Sequence, residues 1–380
     1  MPRAVARPAG RAAGLLCAAL VLAPAPGPAP GSGPDVRPDR LAARARFLMG
    51  TRLSIEIDGP APAGAIEAAF EEVARLEDVL SNWRPESEIS RLNRQASRVA
   101  FRCSPDLYGA IGAALGWAKK TGGAFDPTVE PLIRALRLRP AGESLPRPVV
   151  GAMPECSGSA GAVHFQNEER RNGAGAAEGG RLPIGWRHVQ LGFLSRSVRF
   201  DAPGVGLDLG GIGKGIALDA AARVLARHGI RGALLDFGGQ VLAVGRPQGN
   251  GEWSIGIADP ADRDTPVAVI RGADVSVATS GNGERAVEGP DGPIGHILDP
   301  AAQRPARFDG TATAAAADAT SADALSTGLF VMGPERGARW AEERRIAAVY
   351  LWREPDGTLR WKATRAFDGR FPGWAKSLEH

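Results

Sequence analysis

Three oxygen-bearing side chains lie close together on an otherwise apolar stretch near the end of the chain, SADALSTGLFVMG (321–333). The pattern predicts a buried helix, and Asp323, Ser326 and Thr327 share one face because positions i, i+3 and i+4 of a helix are neighbours. One carboxylate and two hydroxyls suit Mg²⁺ better than Zn²⁺, whose protein sites use His or Cys. The alternative is a polar seam in which Ser326 and Thr327 bond back to carbonyls of their own helix.

A glycine-rich turn, DLGGIGKG (208–215), follows a predicted strand and opens a predicted helix. Glycines at such a place let backbone N–H groups approach a phosphate, and Lys214 adds a positive charge. The spacing matches neither the P-loop nor the dinucleotide-binding fingerprint. On the residues alone, a tight turn that binds nothing remains the alternative.

Other segments carry side chains that could line a binding site, although each is a weak signal by itself. His296 lies among glycines and an Asp-Pro turn at a strand end, where sites are often built. Met49 and Trp83 offer apolar and aromatic surfaces on which a flat ring could stack. The segments are MGT (49–51), SNWRPESEISRLN (81–93), GGAFDPTVEPL (122–132), ATSGNGER (278–285) and GHILDP (295–300).

The elements that must position these residues are short strands and separate helices. Period-two alternation in RFLMGTRLSIEID predicts a strand, and helical spacing in AIEAAFEEVARLEDVL predicts an amphipathic helix. Further strands follow from WRHVQLGF onward, with turn residues between them and a hairpin about Pro355-Asp356-Gly357. This order predicts an α+β fold with a largely antiparallel sheet and flanking helices.

The N-terminal segment predicts export from the cytoplasm. MPRAVARPAGR is basic, AAGLLCAALVL is a short apolar run, and APAPGPAP offers small residues for cleavage. We therefore divide the chain into an export signal (1–30), a flexible tether (31–45) and one domain (46–370), with a surface insertion at 141–180. The expected location is the periplasm, with an uncleaved anchor in the inner membrane as the alternative.

The charge and the cysteines exclude some kinds of partner. Three of the arginines behind the net charge of +4 lie in the first thirty residues, which contain no acid. The rest of the chain is nearly neutral, so binding of nucleic acid by bulk charge is disfavoured. Cys103 and Cys156 have no neighbouring His or Cys that would indicate a metal site, and we interpret them as unpaired, with a disulfide as the alternative.

The joint order of these motifs resembles the ApbE family of FAD:protein FMN transferases. The blocks run from about residue 46 to 365, in the order MGT, S-x-W-x-x-x-SEISRLN, GGAFDPTVEPL, DLGGIGKG, LLDFGG, ATSGNGER, GHILDP and ADALSTGLFVMG. The resemblance implies a T-fold-related architecture and Mg²⁺-dependent transfer of FMN from FAD to Thr or Ser of a target protein, with release of AMP. It also implies that the targets are membrane electron-transfer subunits. Two other functions remain open: an FAD pyrophosphatase and a periplasmic FAD carrier without turnover.

The same resemblance implies a role for particular residues. Asp323 and Thr327 match side-chain ligands of Mg²⁺, with Ser326 beside them and a backbone carbonyl matching Gly211. His296 is the candidate acceptor of the target's proton, so His296 and Asp323 are the predicted catalytic residues. The predicted FAD-binding residues are Met49, Trp83, Ala124, Phe125, Asp126, Asp208, Lys214, His296 and Ile297. Gly213 stands where the family usually has Ala, and Trp83 where Tyr is common.

Overall fold

The structure is a computed structural model that describes residues 41–59, 61–139, 180–247, 251–282, 287–289 and 292–378. The predicted export signal, residues 31–40 of the predicted tether, Cys156 and all but the last residue of the predicted insertion lie outside these ranges. Within them, no helix combines the length and the apolar character needed to cross a membrane.

An eight-stranded antiparallel sheet forms the centre of the fold. Its strand order is β1-β2-β6-β7-β10-β15-β16-β17, and every neighbouring pair is antiparallel. The strands are β1 (Leu41–Leu48), β2 (Thr51–Asp58), β6 (Ala233–Phe237), β7 (Gln240–Val244), β10 (Val275–Gly281), β15 (Thr311–Ala316), β16 (Ala347–Arg353) and β17 (Leu359–Ala363).

The remaining strands form small antiparallel sheets around the central one. They are β3 (Phe101–Arg102), β4 (Val189–Gly192), β5 (Ser197–Phe200), β8 (Trp253–Ala258), β9 (Pro266–Gly272), β11 (Val287–Gly289), β12 (Gly292–Ile294), β13 (Leu298–Asp299) and β14 (Arg304–Pro305). The helices are α1 (Ala65–Leu80), α2 (Glu88–Gln95), α3 (Pro105–Lys120), α4 (Glu130–Ala135), α5 (Gly213–Arg227), α6 (Ala319–Glu343) and α7 (Arg365–Arg370). The predicted fold class is confirmed.

Alternation along the strands places apolar side chains on both faces of the central sheet. In β6, Leu235 packs with α1 and α5, whereas its neighbour Leu234 packs with the β8–β9 hairpin and the C-terminal segment. In β15, Ala314 packs against α6, whereas Ala315 faces the opposite side. The sheet is thus the middle layer, and α5 and α6 lie side by side on one of its faces.

The first strand differs from the sequence prediction in two ways. RFLMGTRLSIEID forms a hairpin rather than one strand, because Met49 (φ 46°) and Gly50 (φ 77°) adopt the left-handed backbone of a two-residue turn. In addition, β1 begins at Leu41, so residues 41–45, which the sequence assigned to a tether, pair with β2 in the sheet. The alternation at Leu53, Ile55 and Ile57 lies wholly within β2, and the buried Leu48 of β1 is out of phase with it.

The C-terminal boundary also extends beyond the predicted domain, which ended at residue 370. Trp374 is buried, and its ring contacts Phe367 of α7 at 5.1 Å between centroids.

Cys103 is a buried, free cysteine among the described residues, and burial raises the pKa of its thiol to about 12.

Candidate active site

A cavity of about 290 Å³ opens where the glycine-rich turn, the start of α6 and the end of β10 meet. Twelve of the thirteen predicted site residues line it: Met49, Trp83, Ala124, Phe125, Asp126, Asp208, Gly211, Lys214, His296, Ile297, Asp323 and Thr327. The exception is Ser326, which is buried but does not line the cavity. The structure thus brings together residues that are up to 278 positions apart in the chain, although their individual roles remain predictions.

The first turns of α5 and α6 are held together by hydrogen bonds between the two helices. Asp219 of α5 accepts from the backbone N–H groups of Ala319 (2.8 Å) and Thr320 (2.9 Å) at the start of α6. In return, Asp323 Oδ2 of α6 accepts from the N–H of Gly215 in α5 (2.9 Å). Both carboxylates therefore satisfy N–H groups that have no partner within their own helix.

Gly215 permits this contact because a larger residue does not fit. A Cβ at Gly215 would lie 2.6 Å from the carbonyl carbon of Ala319 and 2.8 Å from Cα of Thr320. Backbone atoms cannot move aside as the end of a flexible side chain can. The glycine thus sets the distance between the helices and, with it, the position of Asp323.

Three oxygen groups of different kinds lie at this junction. Asp323 is only 5% exposed, and Thr327 Oγ1 lies 3.4 Å from the carbonyl oxygen of Gly211. A carboxylate, a hydroxyl and a carbonyl fit Mg²⁺, which takes few protein ligands and completes its octahedron with waters and phosphate oxygens. The described residues contain no group of three or more His, Cys, Asp or Glu that could hold a metal. A metal site built mainly from His or Cys is therefore absent from these residues.

Ser326 occupies a different position from the other predicted ligands. Its hydroxyl donates to the carbonyl oxygen of Asp323 (3.0 Å) and lies 2.9 Å from Ser280 Oγ. This back-bonding is the alternative that the sequence left open for Ser326, whereas Thr327 reaches across to the glycine-rich turn. Ser280, which the sequence analysis did not single out, connects β10 to both hydroxyls, since its Oγ also lies 3.4 Å from Thr327 Oγ1.

The glycine-rich turn presents backbone N–H groups and one cation to the cavity. Asp208 Oδ1 accepts from the N–H of Gly210 (2.8 Å), which closes the turn. Helix α5 then starts at Gly213, with Lys214 in its first turn. The partial positive charge of a helix N-terminus and the Lys214 ammonium both favour an anion such as a phosphate here.

Arg139 is a cavity residue that sequence reasoning missed. Its guanidinium donates to Asp208 Oδ2 (2.9 Å) and to the carbonyl oxygen of Asn82 (3.2 Å), and it lies 5.9 Å from the centre of the Trp83 ring. Trp83 itself is 56% exposed, so this contact holds an otherwise loosely packed ring. The only feature of the sequence that could have indicated Arg139 is its position, two residues before the predicted insertion.

Two buried carboxylates lie at the cavity or behind it: Asp126 lines the cavity, whereas Glu130 lies 4.0 Å from the guanidinium of Arg139, which lines it. Both oxygens of Asp126 are engaged, by Thr128 (N at 2.9 Å, Oγ1 at 2.6 Å) and by the N–H of Trp186 (2.9 Å). Burial raises the pKa of Asp126, and these hydrogen bonds oppose that rise. Burial likewise raises the pKa of Glu130, against the opposing charges of Arg134 and Arg139.

His296 enters the cavity on the segment that follows β12. The segment packs closely on Asn282 at the end of β10, because a Cβ at Gly295 would lie 2.7 Å from Asn282 Nδ2. His296 is half-buried, and the next residue, Ile297, is 7% exposed. The imidazole therefore lines the cavity on a segment that packs beside the end of β10.

The chain has clear relatives. A family model described as the ApbE family matches residues 49–350. The FAD:protein FMN transferase of Treponema pallidum (strain Nichols) is 30% identical over 351 residues, covering 87% of this chain and 90% of the relative. The enzyme of the same name from Escherichia coli (strain K12) is 27% identical over 321 residues, covering 82% and 84%. The apo structure of the Pseudomonas stutzeri flavinyl transferase ApbE superposes with a TM-score of 0.70 at 25% identity, covering 89% of this chain and 98% of that one.

Proposed function

The chain belongs to the ApbE family, and from this premise we propose that it is an FAD:protein FMN transferase that uses Mg²⁺ and modifies a Thr or Ser hydroxyl of a target protein. The observation that carries the proposal is the set of oxygens from Asp323, Thr327 and Gly211 beside the N-terminus of α5. A flavin carrier would need stacking surfaces but no place for a phosphate-bridging cation. The predicted export signal supports a periplasmic location. The resemblance to the ApbE family suggests membrane electron-transfer subunits as the target class.

The proposed reaction breaks one phosphoanhydride bond of FAD and forms one phosphoester bond on the target. The target hydroxyl attacks the FMN phosphorus of FAD, the bond from that phosphorus to the bridging oxygen breaks, and AMP leaves with that oxygen. Mg²⁺ would neutralise charge on the two phosphates and polarise the phosphorus that is attacked. The products are an FMN phosphoester on the target and free AMP, so no covalent intermediate with this chain is needed.

The chain's own residues supply positioning, charge and a proton acceptor. Lys214 and the N–H groups of the glycine-rich turn stabilise negative charge on the phosphates. Asp323 and Thr327 would hold the cation, and Asp323 is fixed by the Gly215 N–H. His296 receives the proton of the attacking hydroxyl, since it is the one imidazole among the described residues that line the cavity.

Transfer can be tested with the full chain, FAD, Mg²⁺ and a total protein extract of the organism that encodes it. We expect one or a few proteins to become fluorescent in a denaturing gel and to gain the mass of FMN minus water, with AMP released in equal amount. EDTA should abolish the gain, and added Mg²⁺ should restore it. FMN and AMP formed equally well without acceptor would instead identify a pyrophosphatase, and FAD that remains bound and unchanged would identify a carrier.

Replacement of Arg139 by alanine is expected to weaken FAD binding about tenfold, which corresponds to about 1.4 kcal/mol. The reason is that the variant loses the ion pair with Asp208 and the contact that supports Trp83. Titration of flavin fluorescence gives the dissociation constant. Arg137→Ala is the matched control, because Arg137 is exposed and does not line the cavity; equal dissociation constants for both variants would contradict a role of Arg139 in binding.

A further inference from the structure

A second cavity, of about 130 Å³, lies on the other side of the end of β10. It is bounded by β2, the turn between β6 and β7, and the β8–β9 hairpin, and it shares Thr279 and Gly281 with the first cavity. Between these two residues lies Ser280, whose hydroxyl contacts Ser326 and Thr327. The second cavity therefore adjoins the first on either side of Ser280, which contacts two of the predicted cation-binding side chains.

On the basis of the proposed function, we propose that this second cavity binds the hydroxyl-bearing segment of the target protein. In phosphoryl transfer the attacking and leaving oxygens are roughly in line through phosphorus. FAD bound in the first cavity would extend from the phosphates in two directions, as flavin and as AMP. The attacking hydroxyl consequently needs a separate approach to the phosphorus, and the second cavity, which shares Thr279 and Gly281 with the first, would supply it.

The size of the second cavity fits this occupant. A water molecule needs about 10–15 Å³ of such space, so 130 Å³ accommodates about ten waters. That is room for a few side chains of a polypeptide but not for a second dinucleotide. Gly281 contributes no side chain to the shared wall, and Gly238 (φ 62°) and Gly239 (φ 85°) expose only backbone on the opposite side.

The charges of the lining also fit a polar polypeptide segment. Asp259 is already engaged by the Arg353 guanidinium, whereas Arg52 and Arg263 face Asp236. Asp236 accepts a hydrogen bond from the Gly239 N–H (3.4 Å) and also faces Lys214 of the first cavity. Backbone amides and polar side chains of a target can find both donors and acceptors here, which a buried polar segment requires.

The proposal can be tested by changing the second cavity without touching the first. Arg263→Glu reverses a charge of the lining, and Ala258→Phe fills the space at the end of β8. Arg271→Glu is the matched control, because Arg271 is an exposed arginine of the same hairpin that lines neither cavity. The probe is the acceptor protein that the wild-type chain modifies in the extract experiment, purified and titrated against each variant with FAD held constant.

We expect the two cavity variants to raise the KM for the acceptor protein about tenfold or more, with the dissociation constant of FAD within about twofold of wild type. The control variant should match wild type in both quantities, and thermal unfolding confirms that each variant is folded. If Ala258→Phe does not fold, Arg263→Glu decides alone. An unchanged KM for the acceptor would overturn the assignment of the second cavity. A loss of FAD affinity without a rise in that KM would overturn it as well. A wild-type chain that transfers FMN to no protein would contradict the proposed function itself, which is a distinguishable result.

Discussion

Asp323→Asn is expected to lower FMN transfer about a thousandfold while the chain remains folded and still binds FAD. The variant keeps an oxygen that can accept from the Gly215 N–H but loses the only carboxylate among the three predicted cation-binding groups. A bound cation contributes several kcal/mol to a phosphoryl-transfer transition state, and each 1.36 kcal/mol is a factor of ten in rate. Activity of the variant should not be restored at ordinary Mg²⁺ concentrations.

The control for this substitution lies five residues earlier on the same helix. Asp318 caps α6 by accepting from the Ser321 N–H (2.7 Å), and asparagine is an equally good N-cap. Asp318→Asn should therefore retain wild-type transfer and wild-type stability. Initial rates of acceptor modification and flavin fluorescence titrations measure the two effects separately. Transfer by Asp323→Asn within tenfold of wild type would remove the metal assignment.

Gly215→Ala is expected to have the second largest effect, because it acts on stability and on the site together. The added methyl group would contact the backbone of Ala319 and Thr320, and overpacking of this kind costs about 1–3 kcal/mol. Relief of the contact requires α5 and α6 to separate, which displaces Asp323 from the Gly215 N–H. We expect a lower free energy of unfolding in urea and a loss of transfer larger than the loss of folded protein.

Gly213→Ala is a stringent control two residues away. A Cβ at Gly213 would meet nothing within 4 Å, and Gly213 is the first residue of α5, so alanine should fit there. Replacing glycine by alanine within a helix stabilises it by about 0.5–1 kcal/mol, an upper limit for this terminal position. Urea unfolding and the transfer assay should therefore find this variant at least as stable as wild type and active. Equal damage by the two substitutions would mean that the helix contact at Gly215 does not position Asp323.

Helix ends and hairpins could be predicted from the sequence where a single residue type determines the local backbone. The Ser104 hydroxyl caps α3 by accepting from the Leu107 N–H, and Gly229 follows the end of α5 with a positive φ of 79°. The hairpin about residues 355–357 is formed by β16 and β17. In each case a single residue type performs a local task that few others perform as well.

The rest depends on contacts that no local pattern contains. β15, TATAAA, has no alternation, because its alanines are buried on both faces of the sheet. Arg139 gains its position through Asp208, Asn82 and Trp83, which are all distant in sequence. The order of the motifs indicated the family and therefore most of the cavity, but it could not show that Ser326 does not line it or that a second cavity adjoins the first.

The bonds between α5 and α6 also constrain the order in which the chain can become active. Each bond joins residues that are far apart in the sequence. The separation is 100 positions between Asp219 and Ala319, 108 between Gly215 and Asp323 and 116 between Gly211 and Thr327. Contacts between such distant residues form late, since closing a long loop has an entropic cost before any contact offsets it. During synthesis, α5 emerges from the ribosome about a hundred residues before its partner helix. A nascent or truncated chain that ends before Ala319 lacks Asp323 and Thr327, two of the groups proposed to bind the cation, so we expect a partly made enzyme not to consume FAD.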